Sequence, residues 1–79
     1  MELKNTVQLM QSADYKDRFV AEYRQLAIRH EKLKNMVDNW SNLNFLPICP
    51  KSVYCLQLRA MSDYLAILEA RAAIEQIAI

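Results

Sequence analysis

The feature that most constrains this chain is an apolar seam between Tyr15 and Trp40. Its side chains fall at Phe19, Tyr23, Leu26, Leu33, Val37 and Trp40, with His30 in the single gap. Steps of four, three, four and three mark one face of a helix, because residues so spaced stack along one stripe of the 3.6-residue turn. A helix of about 26 residues is ~39 Å long, too long to stand alone in a chain of this size. A second seam answers it, since Tyr54, Leu58, Met61, Leu65, Leu68 and Ala72 repeat the same rhythm. Folded back antiparallel, the seams place Phe19 opposite Ala72, Tyr23 opposite Leu68 and Leu26 opposite Leu65. His30 then faces Met61, Leu33 faces Leu58 and Val37 faces Tyr54. All these pairs obey one register, which predicts a helical hairpin.

The fold class that follows is all-α. A short first helix is expected over 2–11, a long helix over 13–40, a connector over 41–50 and a second long helix over 51–77, all in one hairpin domain. Leu3, Val7 and Met10 carry the short helix, which has to dock on something because two or three turns are marginal alone. Ser12 reads as the N-cap of the long helix, with Asp14 and Asp17 near its positive end. Asn39, Ser41, Asn42 and Asn44 then break the pattern, because their short polar side chains compete for the backbone. The connector carries Leu43, Phe45, Leu46 and Ile48, so it is expected to form an ordered strap that covers them against the hairpin end. Pro47 and Pro50 stiffen it, and Pro50 suits the first turn of the next helix.

A two-helix hairpin does not bury all that the last helix offers. Val53, Ala60, Ile67 and Ile74 form a second apolar row, and Ala66, Ala70, Ala73 and Ile77 make its C-terminal half apolar nearly all round. Small scaffolds without disulfides or metals need extra burial, so the expectation is a homo-oligomer. Cys49 and Cys55 read as free thiols, and with His30 the only histidine no metal-ligand set is apparent; no cofactor is expected.

Composition excludes other classes. The chain has no glycine, which removes the low-cost positive-φ positions of tight hairpins and phosphate-cradling loops. A net charge of +1 disfavours a nucleic-acid binder, which at this size usually carries a strong basic excess. No stretch approaches ~18 uninterrupted apolar residues and the N-terminus lacks the apolar core of a signal peptide, so a cytoplasmic protein with no membrane partner is expected.

Few parts for catalysis are visible. His30 sits on the seam where Leu or Ile would be ordinary, with no second histidine, no acid placed to orient it and no glycine-rich nucleophile turn. The chain reads as a non-enzyme. The start of the long helix says more. Extending the heptad back puts Lys16 on the seam below Phe19, with Tyr15 and Arg18 on either side. Free backbone N–H groups at a helix start attract anions, aromatic faces stack on bases, and Lys and Arg hold phosphates. Arg71 arrives at the same end in the antiparallel register, so Tyr15, Lys16, Arg18, Phe19 and Arg71 are the candidate ligand-binding residues. The plain structural alternative is that Lys16 pairs with Glu75 while Tyr15 and Phe19 cap the core. Asp14 and Asp17 would also repel a phosphate.

The string Ser12-Ala13-Asp14-Tyr15-Lys16-Asp17-Arg18-Phe19-Val20-Ala21-Glu22-Tyr23 resembles small helical proteins of gut bacteriophages, including crAss-like phages. So do Cys49-Pro50, Leu56-Gln57-Leu58-Arg59-Ala60-Met61 and Tyr64-Leu65-Ala66-Ile67-Leu68-Glu69-Ala70-Arg71-Ala72. More loosely, the architecture is similar to phage anti-defence sponge proteins that oppose CBASS and Thoeris immunity. That resemblance implies a helical-hairpin oligomer in the bacterial host cytoplasm. Its ligand would be a cyclic oligonucleotide or cyclic ADP-ribose-type signal, sequestered without cleavage. The alternative is an oligomeric interaction module that grips or inhibits a host or phage protein through its surplus apolar face.

Overall fold

The computed structural model describes residues 14–79. Helix α1 runs Tyr15–Asp38, a single 3-10 turn follows at Trp40–Asn42, and helix α2 runs Lys51–Glu75. The two helices pack antiparallel as a hairpin, and no strand is found among the described residues. The short helix expected over 2–11 lies outside the described residues.

Three cross-helix hydrogen bonds fall within one residue of the register that the seams imply. Tyr15 meets Glu75, Tyr23 meets Glu69, and His30 meets Ser62 rather than Met61. The seam of α2 faces inward along its whole length, half-buried from Tyr54 to Leu65 and fully buried at Leu68 and Ala72. The tightest layer sits at the open end of the hairpin, away from the connector. There Phe19, Leu68, Ala72 and Ile77 form the core, with Val20, Tyr23 and Leu26 packed against it. At the closed end, Trp40 and Tyr54 rings lie 5.9 Å apart at 56°, and Val37 is buried beneath the turn.

The helix ends differ from the expected ones for identifiable reasons. Asp14, not Ser12, caps α1: its carboxylate accepts from the Lys16 backbone N–H at 2.7 Å, and its carbonyl accepts from Arg18 N–H at 3.1 Å. The far end of α1 stops at Asp38 rather than Trp40, because Asn39 turns both its backbone N–H (3.1 Å) and its side-chain amide (2.8 Å) back onto the Asn35 carbonyl. The connector is not the apolar strap expected. Leu43 and Pro47 are half-buried, but Phe45 is exposed and Leu46 and Ile48 stand almost fully in solvent. Asn42 and Leu43 N–H groups satisfy the 3-10 turn, and nothing in that short turn directs the side chains beyond it inward.

Helix α2 ends at Glu75, two residues short of the expected limit. Gln76 adopts the left-handed conformation at φ 58°, and Ile77 N–H donates to the Ala72 carbonyl at 2.8 Å. This is a Schellman stop, in which Ile77 folds back against the residues that open the last turn. It is built without glycine, so Gln76 carries the steric cost of a Cβ in that region.

The second row of α2 remains uncovered. Val53, Leu56, Ala60, Ile67, Ala70 and Ile74 are all exposed, Ile67 at 57% and Ile74 at 81%. They follow the same four-three spacing as the buried seam, on a different side of the helix.

Two stability measurements check this account. Gln76→Gly is expected to raise the unfolding free energy by about 0.5–1 kcal/mol, because glycine reaches the left-handed region without strain. Leu68→Ala is expected to lower it by roughly 2–5 kcal/mol, the range for deleting a fully buried leucine side chain. Urea midpoints read both, and a loss under 1 kcal/mol at Leu68 would contradict the core placed here.

Candidate functional site

The open end of the hairpin is where the first turn of α1 meets the last turn of α2. Tyr15 and Phe19 are one turn apart, so their rings share a face, with centroids 6.3 Å apart and planes tilted by 51°. The Arg71 guanidinium lies over the Phe19 ring at 5.0 Å from its centroid. It donates to the Tyr15 hydroxyl at 2.8 Å, and its Nε donates to a Glu75 carboxylate oxygen at 3.3 Å. Tyr15 in turn donates to the other Glu75 oxygen at 2.9 Å. Arg71, Tyr15 and Glu75 therefore close a three-membered ring of hydrogen bonds beside an aromatic face.

Of the five residues singled out from sequence, the structure brings Tyr15, Phe19 and Arg71 together. Lys16 and Arg18 stand exposed on the two flanks of that pair, at the angles a helix gives to positions next to Tyr15 and Phe19. The Lys16–Glu75 pair of the plain structural alternative does not form. Lys16 projects about 100° around the helix from Tyr15, and the Tyr15 ring reaches Glu75 first. Glu75 is thus a member of the cluster, held by Tyr15 and Arg71 rather than by Lys16.

Its electrostatics matter for any ligand. Burial by itself would lower the Arg71 pKa, but the Tyr15 hydroxyl and the Glu75 carboxylate together hold it above the ordinary value. The cation is therefore permanent, and it is also already partnered. Arg71 and Glu75 side chains are 44% and 35% exposed, so solvent screens the pair and a better anion can compete for the guanidinium.

Two further tyrosine–carboxylate pairs tie the helices together. The Tyr23 hydroxyl donates to Glu69 at 2.7 Å on one side of the hairpin, and the Tyr64 hydroxyl donates to Glu22 on the other. Tyr64 shares its side with Arg71, whose charge acts on it. Neither pair was legible from the apolar pattern, which reads faces and not the polar residues at their margins. A tyrosine on a seam, as at Tyr23, or one position off it, as at Tyr64, with a glutamate on the facing helix is the signal that would have found them.

Both tyrosines are held above the ordinary value of 10.0, chiefly by their hydrogen bonds to the carboxylates. The sign follows from linkage. A raised folded-state pKa means the folded chain keeps its proton after the unfolded chain has lost it, so the stabilisation is full below pH 10 and lost as pH rises through the folded values. Melting temperature is expected to fall across that alkaline window as tyrosinate absorbance grows. Tyr23→Phe and Tyr64→Phe together should flatten this fall, and an unchanged profile would remove the two bonds from the account.

No group of three or more His, Cys, Asp or Glu side chains arranged for a metal occurs among the described residues, and no helix there is long and apolar enough to cross a membrane. Cys49 and Cys55 are both exposed thiols.

No curated protein and no solved structure matches the chain. A family model described as Sequestin matches residues 13–74. The match takes in both helices of the hairpin as far as the last turn of α2, and with them Tyr15, Lys16, Arg18, Phe19 and Arg71. With most of its length so covered, the chain belongs to the Sequestin family.

Proposed function

We infer that this protein is a non-enzymatic sponge, which binds a nucleotide immune signal at the open end of the hairpin and holds it without cleaving it. The family's name itself speaks of sequestration. The observation that carries the reading is the Arg71 guanidinium poised over the Phe19 ring beside Tyr15, with Lys16 and Arg18 exposed on the flanks. The exposed Tyr15 ring can accept a base, Phe19 supports the site from the core beneath Arg71, and the three cations accept phosphates. The ligand class is a cyclic oligonucleotide or a cyclic ADP-ribose-type signal. Such a protein would be phage-encoded and act in the cytoplasm of the bacterial host, by stoichiometric capture rather than turnover.

Binding would exchange partners at Arg71. An incoming phosphate takes the guanidinium from Glu75, whose carboxylate turns outward into solvent. Glu75 is in that sense a placeholder for the ligand. Neutralising it removes the competitor and a like charge from the site.

The exposed row Val53, Leu56, Ala60, Ile67 and Ile74 suits a second copy of the chain, since a hairpin this small gains the burial it lacks by self-association. The same row supports the second reading, a module that grips a different host or phage protein. Light scattering separates self-association from the alternative: an oligomer that Ile67→Glu dissociates is expected, and a monomer at working concentration would transfer the row to a foreign partner.

A ligand that binds only the folded chain raises its melting temperature. Thermal shifts against cyclic mono-, di- and trinucleotides and cyclic ADP-ribose isomers are expected to show stabilisation by one class, confirmed by calorimetry. Lys16→Ala or Arg18→Ala should weaken that binding by roughly tenfold each, as for a lost charge-assisted phosphate contact. Glu75→Gln should tighten it. Silence across the whole panel would overturn the sponge in favour of the interaction module.

A further inference from the structure

The middle of the hairpin holds a second polar constellation, on the opposite margin of the helix pair from Tyr64 and Arg71. His30, the one interruption of the α1 seam, shares a hydrogen bond of 2.8 Å with the Ser62 hydroxyl of α2. Beside them a surface trough of about 360 Å³ is lined by His30, Lys34 and Asp38 from α1 and by Leu58, Arg59 and Ser62 from α2. Spacing explains the lining. His30, Lys34 and Asp38 follow one another at intervals of four along one side of α1, and Leu58 and Ser62 do the same on α2.

Three facts distinguish this trough from the open end. First, its cations are free: among the described residues no ion pair joins Lys34 to Asp38, and none joins Arg59 to any acid. Arg71, by contrast, is already held by Glu75 and Tyr15. Second, cations come from both walls, Lys34 from α1 and Arg59 from α2, against the single carboxylate of Asp38 at one end. Third, the floor between them carries the hydrogen-bonded His30–Ser62 pair, which leaves one donor, the hydroxyl or the other ring N–H, free for an anion whichever way the shared proton lies. A guanidinium and an ammonium lining one trough with a hydrogen-bond donor between them make the kind of donor set that phosphate oxygens require. The other large surface hollow, about 490 Å³, is lined by Arg24, Ala27, Ile28 and Glu31 of α1 alone and offers a cation from one wall only.

We propose that this trough is a binding site for a phosphate-type oxyanion, held by Lys34 and Arg59 from opposite helices and by the one donor that the Ser62–His30 pair between them leaves free. The oxyanion bridges α1 and α2, so its binding stiffens the middle of the hairpin, where the packing is only half-buried. The source of the oxyanion is either the free inorganic ion or the phosphate of a nucleotide, and the size of the trough accommodates both.

Titration of the full chain, followed by the ring resonances of its single histidine, reads the site directly. Three titrants are used: inorganic phosphate, inorganic pyrophosphate and adenosine monophosphate, with chloride at matched ionic strength as the control. Saturable shifts of the His30 ring with any of the three are expected, and Lys34→Gln with Arg59→Gln should weaken them at least tenfold. Both side chains are exposed, so circular dichroism of the double variant should be unchanged. Ser62→Ala should weaken binding several-fold. Equal response to all three titrants assigns the site to the free oxyanion, whereas a response to adenosine monophosphate alone assigns it to a nucleotide phosphate. A ring that no titrant moves beyond the chloride control, or one that still responds fully in the double variant, would overturn the proposal. Lys16→Ala with Arg18→Ala should leave these shifts intact, so loss of the site at the open end and loss of this one are read separately.

Discussion

Everything in this fold depends on two apolar seams meeting at one register. Among the described residues the helices share no other covalent or metallic tie near their open ends, and most of the stability of each comes from packing its apolar face. The layer of Phe19, Leu68, Ala72 and Ile77 decides the alignment, because only one offset buries all four at once. Once it is set, the polar geometry follows. Glu75 comes to Tyr15, Arg71 comes to the ring of Phe19, and His30 comes to Ser62. Sliding one helix by a turn would separate every one of these pairs while leaving both helices intact.

The register was readable because helical periodicity is a strong signal when apolar residues recur over six or seven turns. Phe19 opposite Ala72 and Tyr23 opposite Leu68 needed nothing but spacing. Less was readable at the margins. Register says which residues are level with one another, but not which of two neighbours reaches across, so Glu75 is level with Lys16 and yet the Tyr15 ring takes it. Met61 was likewise named opposite His30, while the hydroxyl one position on holds the ring. Caps failed for a related reason: Ser12 and Asp14 are both good cap residues, and local chemistry alone does not choose between them. The connector misled because its leucine, phenylalanine and isoleucine look like buried residues, yet the short 3-10 turn that precedes them leaves them in solvent.

Helix α2 divides its circumference between two tasks. One stripe is consumed by α1, and another, from Val53 to Ile74, is left over. Tyr64, Ile67, Arg71 and Ile74 succeed one another at three and four residues, so the cation of the open end stands on the border between the two stripes. Whatever covers the outer stripe therefore comes close to Arg71 and Tyr64. The aromatic–cation cluster and the uncovered row are neighbours on one surface, and a side chain added to one is felt at the other.

The position of the best-packed layer has a further consequence for how the chain reaches this state. Phe19 and the residues it contacts at Leu68, Ala72 and Ile77 are separated by about fifty positions, whereas the region next to the connector offers only Val37 and the tilted Trp40–Tyr54 pair. A hairpin that zips from its turn gains little at first and then meets the polar step of His30 and Ser62 before any strong reward. Loop-closure entropy is thus spent before most of the hydrophobic gain arrives. On this packing alone, a partly zipped chain gains little, and pairing of the two helices is expected to be cooperative, with the contacts around Leu68 forming late.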